Sequence, residues 1–507
     1  MPSNTTRIAK NTLALYFRQI VVMGVSLFTV RIVLQTLGVI DYGIHNVVGG
    51  MVAMFGFLRT PIVEVTQRFL NVEMGKGNYD ALQKIFSTSL MLHIIAGILI
   101  LTVGETVGLW FIENKLVIPT ERMEAARCVY QFALFGFMVT MLSVSFEALI
   151  VAHEDMQIYG YVGVFEAVAK LITAYLLIIA GGDKLKVYAV FNFIVFFIIT
   201  IFYYKYCQKK YQEAKFIFHN DIALIKDFGR HIGYVFVASA LLVLRKHGTS
   251  VVLNVFFGPV VNAARGLTAS VENAVLSFRN NFNRAIVPQL TKSCAGNDRR
   301  NMWSLLERGT RFSFFLILIF SIPILLKTEF ILNLWLKDVP EYTSIFVQLV
   351  LIEFILVHGI MFFFGKIVNA TGKLKAYYSV DYVCAILIFV FSYIVCKVGY
   401  APYYVFVISL LIFSLSLLVK FIVMKKLVDF PVRFFTQKAL LPMFLVLAVS
   451  FIPFYIVNKF VIGSFFQSIV IIVTSPLWTG IVIMYIGMRK KERAVVFNFV
   501  KQKVLRR

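Results

Sequence analysis

Cationic side chains inside otherwise apolar segments are the residues of this sequence most able to do chemistry. A charge at the centre of a bilayer costs from about 2.5 to more than 10 kcal/mol, so such a residue usually faces a water-filled cavity or a charged partner. Arginine also stays protonated and can bind two phosphate oxygens at once. The chain therefore predicts a cationic lumen that accepts an anion, and its candidate substrate-binding residues are Arg18, Arg31, Arg59, Arg245, Lys246, Arg265 and Arg279.

A second interpretation stays open for cations near the ends of their segments. Arg18, Arg59 and Arg279 lie close enough to segment ends to extend their charged groups to the membrane surface while the stems stay in the apolar layer. Arg245 and Lys246 lie near the middle of a segment, directly before a glycine-containing pair. This position predicts a broken helix with lumen-facing charges.

One predicted helix carries a polar stripe. Arg265, Glu272 and Arg279 are spaced by seven residues, so each step turns the helix by only about 20°. The stripe fits the wall of an aqueous, anion-accepting cavity. The alternative is an intramembrane salt-bridge network in which Glu272 neutralises an arginine.

Carboxylates within apolar segments are candidates for ion coupling, because a buried carboxyl can carry a proton. The same carboxylates are equally suited to neutralise the cations described above. The candidates are Glu147, Glu166, Glu272 and Glu353.

The sequence contains no nucleotide-binding loop, serine-hydrolase motif or zinc-protease motif. Its histidines and five cysteines show no metal-ligand spacing. We therefore expect no catalytic residue, no metal and no cofactor.

The composition determines which elements position these residues. The chain of 507 residues is 59% hydrophobic with a mean hydropathy of +0.82, and only 15% of it is charged, against about 25% in soluble domains. Continuous apolar runs predict an all-α polytopic membrane protein. The 14 predicted spans are Thr12–Leu37, Ile44–Val63, Ile85–Ile112, Cys128–Val151, Ile158–Ala180, Leu185–Tyr206, Ile232–Phe257, Val260–Phe282, Phe312–Leu336, Thr343–Gly365, Tyr377–Val398, Tyr403–Met424, Ala439–Val457 and Phe465–Gly487.

The spans fall into two related halves. Gly38 and Gly258 lie 220 positions apart, as do Arg59 and Arg279, and weaker matches follow at offsets of 219 and 218. Six spans in each half predict a parallel repeat. The predicted domains are two six-helix lobes at 1–206 and 232–424, a linker at 207–231, two extra spans at 425–487 and a basic tail at 488–507.

Two links between spans carry local predictions. The short stretches Val39–Gly43 and Gly258–Pro259 predict tight turns. The basic link Arg284–Arg311 predicts a short amphipathic helix through Met302–Leu306.

The net charge of +24 indicates membrane topology, because lysine and arginine cluster in alternate links. This positive-inside asymmetry predicts that both termini lie in the cytoplasm. We expect an uncleaved first span and no binding of nucleic acid.

Several stretches resemble the bacterial polysaccharide-biosynthesis exporters. The more specific pattern follows the seventh span and begins Phe256-Phe257-Gly258-Pro259. The chain is similar over nearly its whole length to the O-antigen flippase branch of the multidrug/oligosaccharidyl-lipid/polysaccharide (MOP) exporter superfamily. The stretches are Phe256–Gly266, Asn281–Phe282, Pro288–Lys292, Leu37–Gly43 and Ala148–Glu154.

The resemblance implies a MATE-like V of two six-helix lobes with two additional helices. It implies a flippase that carries undecaprenyl-pyrophosphate-linked oligosaccharide, of the O-antigen or capsule type, across the bacterial inner membrane by alternating access. Related lipid II flippases place lumen arginines in the first, second and eighth helices, and Arg18, Arg59 and Arg279 occupy similar places here. The implied partners are the lipid-linked glycan, membrane lipids and other glycan-assembly proteins.

Two other functions stay open at this point. A MATE-type antiporter of small molecules or drugs would share the fold, but the first span lacks the acidic cation site that is common in such proteins. A membrane glycan polymerase or ligase would be an enzyme. The longest predicted external loop, Glu113–Arg127, is short for such an enzyme, so we expect a transporter.

Overall fold

The structure is a computed structural model that describes residues 4–494, apart from 78, 154, 219–220, 297, 372–373 and 461–464. The side chains of residues 4–18 and of scattered helical positions, Arg245 and Lys246 among them, also lie outside the described part. The described residues form helices joined by short links and contain no strand, so the expected all-α class is confirmed. The helices are α1 (Asn4–Met54), α2 (Gly56–Lys76), α3 (Tyr79–Val103), α4 (Leu109–Asn114), α5 (Met123–Ala152), α6 (Met156–Ile179), α7 (Lys184–Lys210), α8 (Ile222–Val243), α9 (Thr249–Phe257), α10 (Pro259–Ala295), α11 (Arg299–Leu326), α12 (Thr328–Leu336), α13 (Thr343–Glu353), α14 (Gly359–Thr371), α15 (Leu374–Val398), α16 (Tyr404–Val428), α17 (Val432–Phe435), α18 (Leu441–Phe460) and α19 (Phe465–Val482).

Short π-helical stretches join or extend several of these helices. One of them, Leu244–Gly248, contains the predicted break at Arg245 and Lys246, so the helix is distorted there but continues. Such stretches often mark functional positions within helices. Those in the described residues are Gly104–Gly108, Leu244–Gly248, Phe354–His358, Thr436–Leu440 and Ile483–Gly487.

Eleven helical stretches of the described residues are long and apolar enough to cross a membrane. The first, Gln19–Met74, has 56 residues, far more than the roughly 20 that cross a hydrocarbon layer once. It bends at Gly38. The polytopic membrane class is therefore confirmed, and the count of fourteen spans stays a prediction.

The two glycines that align in the duplication have the same backbone conformation. Gly38 has φ 78° and ψ 169°, and Gly258 has φ 76° and ψ −170°. Side chains with a Cβ rarely adopt this region, so glycine suits both positions. The predicted turns are shorter than expected, because Val39–Gly43 is already helical and the non-helical backbone is confined to one glycine in each copy, Gly38 and Gly258.

Other boundaries differ from the predicted ones. The continuous helix α10 spans 37 residues, whereas the matching part of the first half is interrupted at Phe55, between α1 and α2. The amphipathic helix predicted at Met302–Leu306 is not separate, because it forms the first turns of α11. The predicted ninth span divides at Lys327 into α11 and α12.

The chain forms two compact units. The first unit comprises Met1–Leu267, Pro340–Tyr342 and Ala385–Val405, and the second comprises Thr268–Val339, Thr343–Cys384 and Phe406–Arg507. The predicted lobe boundaries stay predictions. In the first unit, α5 packs against α1, α2, α3 and α7, and in the second unit, α11 packs against α14, α18 and α19.

A buried charge network ties the chain beyond α19 to the first half of α11 within the second unit. Arg311, which is 1% exposed, donates to both carboxylate oxygens of Glu492 at 2.6 and 2.7 Å and to the carbonyl of Gly487 at 2.7 Å. Its Nε lies 3.2 Å from Glu307, which also lies 2.7 Å from Arg489. The network joins the chain beyond α19 to the start of α11.

Candidate functional site

A cavity of about 680 Å³ lies inside the first unit, among α1, α2, α5, α6 and α7. Two cations and two carboxylates line it, together with His45. Three of these charged residues are predicted site residues, and they come from three different helices. The four charged residues are Arg59, Glu147, Glu166 and Lys170.

Arg59 and Glu147 form a loose ion pair across the cavity. One guanidinium nitrogen, Nη2, lies 3.4 Å from both carboxylate oxygens of Glu147. Ser143 lies one helical turn before Glu147 on α5 and donates to Oε1 at 2.8 Å. The side chains of Arg59 and Glu147 are 35% and 22% exposed, so part of each charge faces the open cavity.

Glu166 and Lys170 form a closer pair on α6. They are four residues apart and therefore share one helix face, and Nζ lies 2.6 Å from Oε1. The Lys170 ammonium also lies 5.2 Å from the ring centre of Phe196, within range of a cation–π interaction. Both candidate coupling carboxylates of this unit thus have a cationic partner.

Arg279 has different surroundings in the second unit. Its side chain is 8% exposed, and it donates to the carbonyl of His358 at 3.4 Å and to Oδ1 of Asn280 at 3.3 Å. Its guanidinium carbon lies 5.1 Å from the ring centre of Phe362, and its Nε has no hydrogen-bond partner among the described residues. No described carboxylate forms an ion pair with Arg279.

Glu353 lies at the other end of the same polar group. It accepts hydrogen bonds from Ser409 at 2.7 Å and from Nε2 of His358 at 2.9 Å. Glu353 and His358 are five residues apart, the spacing of one π-helical turn, and the stretch Phe354–His358 is π-helical. His358 therefore links Arg279 to Glu353, because its backbone carbonyl accepts from Arg279 and its side chain donates to Glu353.

The other predicted site residues are placed less fully. The side chains of Arg18, Arg245 and Lys246 lie outside the described residues. Arg31, Arg265 and Glu272 are half-buried, and each has an interaction partner. Of the predicted stripe, Arg265 belongs to the first unit, whereas Glu272 and Arg279 belong to the second.

Some functional candidates were missed by the sequence analysis. Ser143 lies four residues before Glu147, and this spacing alone would have placed the two on one helix face. His358 lies five residues after Glu353, a spacing that pairs only in a π-helix. Ser409 comes from another helix, and no local pattern indicates it.

No protein-family model matches the chain, and no curated protein matches its sequence. Solved structures do match. An inward-facing multidrug-resistance MATE family transporter of the MOP superfamily aligns with a TM-score of 0.63 and 12% identity, covering 79% of this chain and 92% of that one. The lipid II flippase MurJ, in an inward closed conformation, aligns with a TM-score of 0.60 and 16% identity, covering 92% and 97%.

A third match is a MOP superfamily transporter from Pyrococcus furiosus, described as having a binding pocket of reverse polarity. It aligns with a TM-score of 0.53 and 12% identity, covering 79% of this chain and 94% of that one. Identities this low concern the fold alone. The chain therefore has the fold of the MOP superfamily transporters.

Proposed function

We propose that this protein is a flippase that moves undecaprenyl-pyrophosphate-linked oligosaccharide, of the O-antigen or capsule type, across the bacterial inner membrane. The two halves expose a cationic lumen to each side in turn, and both termini lie in the cytoplasm. The arginines bind the pyrophosphate or an anionic glycan. The fold supports a transporter, and the resemblance of the sequence motifs supports this substrate class.

The environment of Arg279 carries the proposal. A buried guanidinium normally has a carboxylate partner, because an uncompensated buried charge is costly. Arg279 is 8% exposed and forms no ion pair with a described carboxylate. A pyrophosphate group would supply the missing negative charge, and its oxygens would accept hydrogen bonds from two guanidinium nitrogens.

The remaining site residues have supporting roles in this proposal. Arg59 contributes a second guanidinium, and its loose contact with Glu147 leaves donors available. The other substrate-binding candidates are Arg18, Arg31, Arg245, Lys246 and Arg265. Glu147, Glu166, Glu272 and Glu353 are the candidates for ion coupling.

The experiment compares export in cells that lack any other flippase for the same glycan. Deletion of the protein should leave lipid-linked glycan on the cytoplasmic leaflet, and Arg279→Ala should do the same. Arg127→Ala is the matched control, because Arg127 is 53% exposed and pairs with Glu113 at 2.8 Å. Normal export in the deletion strain, or equal effects of the two substitutions, would contradict the proposal.

A second candidate function is favoured by the first-unit cavity. Its carboxylates Glu147 and Glu166 are suited to proton or cation exchange, as a MATE-type small-molecule antiporter would require. Cation-driven efflux that is lost in Glu147→Gln, together with export of glycan in the deletion strain, would favour this alternative. The purified protein is expected to transfer no sugar, and sugar transfer would favour a polymerase or ligase.

A further inference from the structure

The link between α7 and α8 exposes large apolar side chains. Phe216 is 49% exposed, Phe218 is 85% exposed, and Ile222, the first residue of α8, is 67% exposed. On helices that cross a membrane, exposed apolar side chains are covered by lipid. Phe216 and Phe218 lie between α7 and α8 and outside both helices, so their exposure needs an explanation of its own.

This link is held in a fixed position by α3. The side-chain amide of Gln83 donates to the backbone carbonyl of Lys215 at 3.1 Å, and the backbone amide of Ile217 donates to Oγ of Ser87 at 3.0 Å. Gln83 and Ser87 are about one helical turn apart on α3. Phe216 lies between the two fastened residues, so the exposure of its ring is set by the fold.

The link lies at the level where membrane-crossing helices begin and end. The stretches Tyr79–Asn114 and Lys184–Lys210 are both long and apolar enough to cross a membrane. Gln83 is in the first turns of one stretch, and the link follows the last residue of the other. The two rings therefore lie near the boundary between hydrocarbon and headgroups, where aromatic side chains are enriched in membrane proteins.

Exposed cations border the two phenylalanines. Two are on the last turns of α7, one is in the link, and two are on the first turns of α8. None of them forms an ion pair with a described carboxylate, whereas Lys210 pairs with Asp155. The five exposed cations are Lys205, Lys209, Lys215, Lys226 and Arg230.

The carboxylates of the same stretch are already engaged. Glu213 is 6% exposed and pairs with His153, and Asp221 accepts a hydrogen bond from the amide of Leu224 at 2.9 Å. Asp227 also has an interaction partner. Membrane topology accounts for the cations, but it does not require exposed aromatic rings held beside them.

We propose that the surface formed by residues 205–218 and 221–230 binds the headgroups of anionic phospholipids. Phe216 and Phe218 enter the boundary between headgroups and acyl chains, as the apolar side chains of interfacial segments do. The five cations attract the net negative charge of the lipid, so the surface prefers anionic lipids to zwitterionic ones. The inference goes beyond the proposed function, because it concerns the surrounding lipid and not the transported molecule.

The test introduces Phe218→Trp into the full-length protein, reconstituted in phosphatidylcholine vesicles. Brominated phosphatidylglycerol or brominated phosphatidylcholine is included at equal mole fraction, and bromine quenches the fluorescence of a tryptophan that it contacts. The signal of the wild type, which has four tryptophans, is subtracted. The brominated phosphatidylglycerol should quench at least about twofold more strongly than the brominated phosphatidylcholine, because the neighbouring cations enrich anionic lipid.

Two comparisons make this result specific. Adding Lys209→Gln, Lys215→Gln and Lys226→Gln to Phe218→Trp should bring the two quenching values close to equality. Ile179→Trp is the matched control and should be quenched equally by both lipids. Ile179 is 80% exposed at the end of α6, and the following residues 180–183 contain no cation.

Equal quenching by the two lipids at position 218, or an unchanged preference after the three lysine substitutions, would overturn the proposal. Absence of quenching by either lipid would also overturn it, since the ring would then face water or a second protein. Phe216→Trp reports on the same surface if Phe218→Trp does not fold. The measurement uses no glycan, so a wrong substrate class leaves its result intact, and a missing lipid preference leaves the proposed function intact.

Discussion

Arg59 and Arg279 occupy equivalent positions of the duplicated sequence, yet their surroundings differ. Arg59 shares a cavity with a carboxylate at 3.4 Å, and 35% of its side chain is exposed. Arg279 is 8% exposed and contacts a carbonyl, an amide side chain and a ring. Each arginine contacts a later helical region of its own half, and these two regions are also equivalent in the repeat. Arg59 contacts α5, and Arg279 contacts the stretch between α13 and α14.

The difference traces to one exchange between the copies. Glu147 matches Gly365 at the offset of 218 that holds in this part of the repeat. The second half therefore lacks a carboxylate at the position that pairs with Arg59 in the first half. The cation is present in both halves but the carboxylate in only one, and Arg279 forms no ion pair with a described carboxylate.

The largest effect is expected at Arg311, a buried arginine that, unlike Arg279, has carboxylate partners within the protein. Arg311→Met should lower the free energy of unfolding by about 3–5 kcal/mol, because Glu492 loses its closest cationic partner and Glu307 loses one of its two. Thermal unfolding in detergent measures this loss. Arg299→Ala, an exposed pair with Asp429 at 3.3 Å, should cost less than about 1 kcal/mol; equal losses would show that the network is not the buried anchor described above.

The next prediction tests whether Arg279, unlike Arg311, contributes to transport more than to stability. Arg279→Ala should reduce transport about 10- to 100-fold, as expected for the loss of charged hydrogen bonds to a substrate, without a comparable loss of thermal stability. Export assays and thermal unfolding of the same purified variant provide both numbers. A stability loss as large as that of Arg311→Met, with transport reduced only in proportion to folded protein, would make Arg279 a structural residue.

A smaller effect is expected for the pair in the first unit. Because Arg59 and Glu147 are partly exposed and 3.4 Å apart, a double-mutant cycle of Arg59→Gln and Glu147→Gln should give a coupling of about 1 kcal/mol. Thermal unfolding of the four proteins measures it. A coupling near that of a fully buried pair would mean that Glu147 holds Arg59 too firmly to release it to a substrate.

The smallest effect concerns the group beside Arg279. Ser409→Ala removes one hydrogen bond to Glu353 and should cost about 0.5–1.5 kcal/mol of stability, with transport reduced less than in Arg279→Ala. Ser416→Ala is a control on the same helix, because Ser416 bonds only its own helix backbone at Phe413 among the contacts described. Loss of transport equal to that of Arg279→Ala would instead place Glu353 and Ser409 at the transport step itself.

The sequence predicted the fold class and the breaks in the helices near Gly38 and Gly258, because both follow from local signals. Long apolar runs require helices in a bilayer, and a glycine at matched positions of a repeat indicates a shared backbone conformation. It also singled out Arg59, Arg279 and the carboxylates as candidate site residues, and their roles stay predictions. The partners were not predictable, since Ser409 and Glu353 meet from helices that no sequence period connects.

Two other features were not predictable, one because its pattern has two interpretations and one because its residues are far apart in the sequence. The stripe of Arg265, Glu272 and Arg279 was compatible with a lumen wall and also with a salt-bridge network. The buried network of Arg311 was not foreseen, because its partner Glu492 lies 181 residues later in a basic tail that indicated only topology. Pairing between distant segments depends on packing, which composition and spacing do not specify.

The most direct test of the account measures binding of undecaprenyl pyrophosphate to the purified protein, with undecaprenol, which lacks the anion, as the matched ligand. The wild type should prefer the pyrophosphate lipid, Arg279→Ala should lose most of that preference, and Arg59→Ala should lose less. Equal binding of the two lipids by the wild type, or an unchanged preference in Arg279→Ala, would contradict the claim that Arg279 holds the substrate anion.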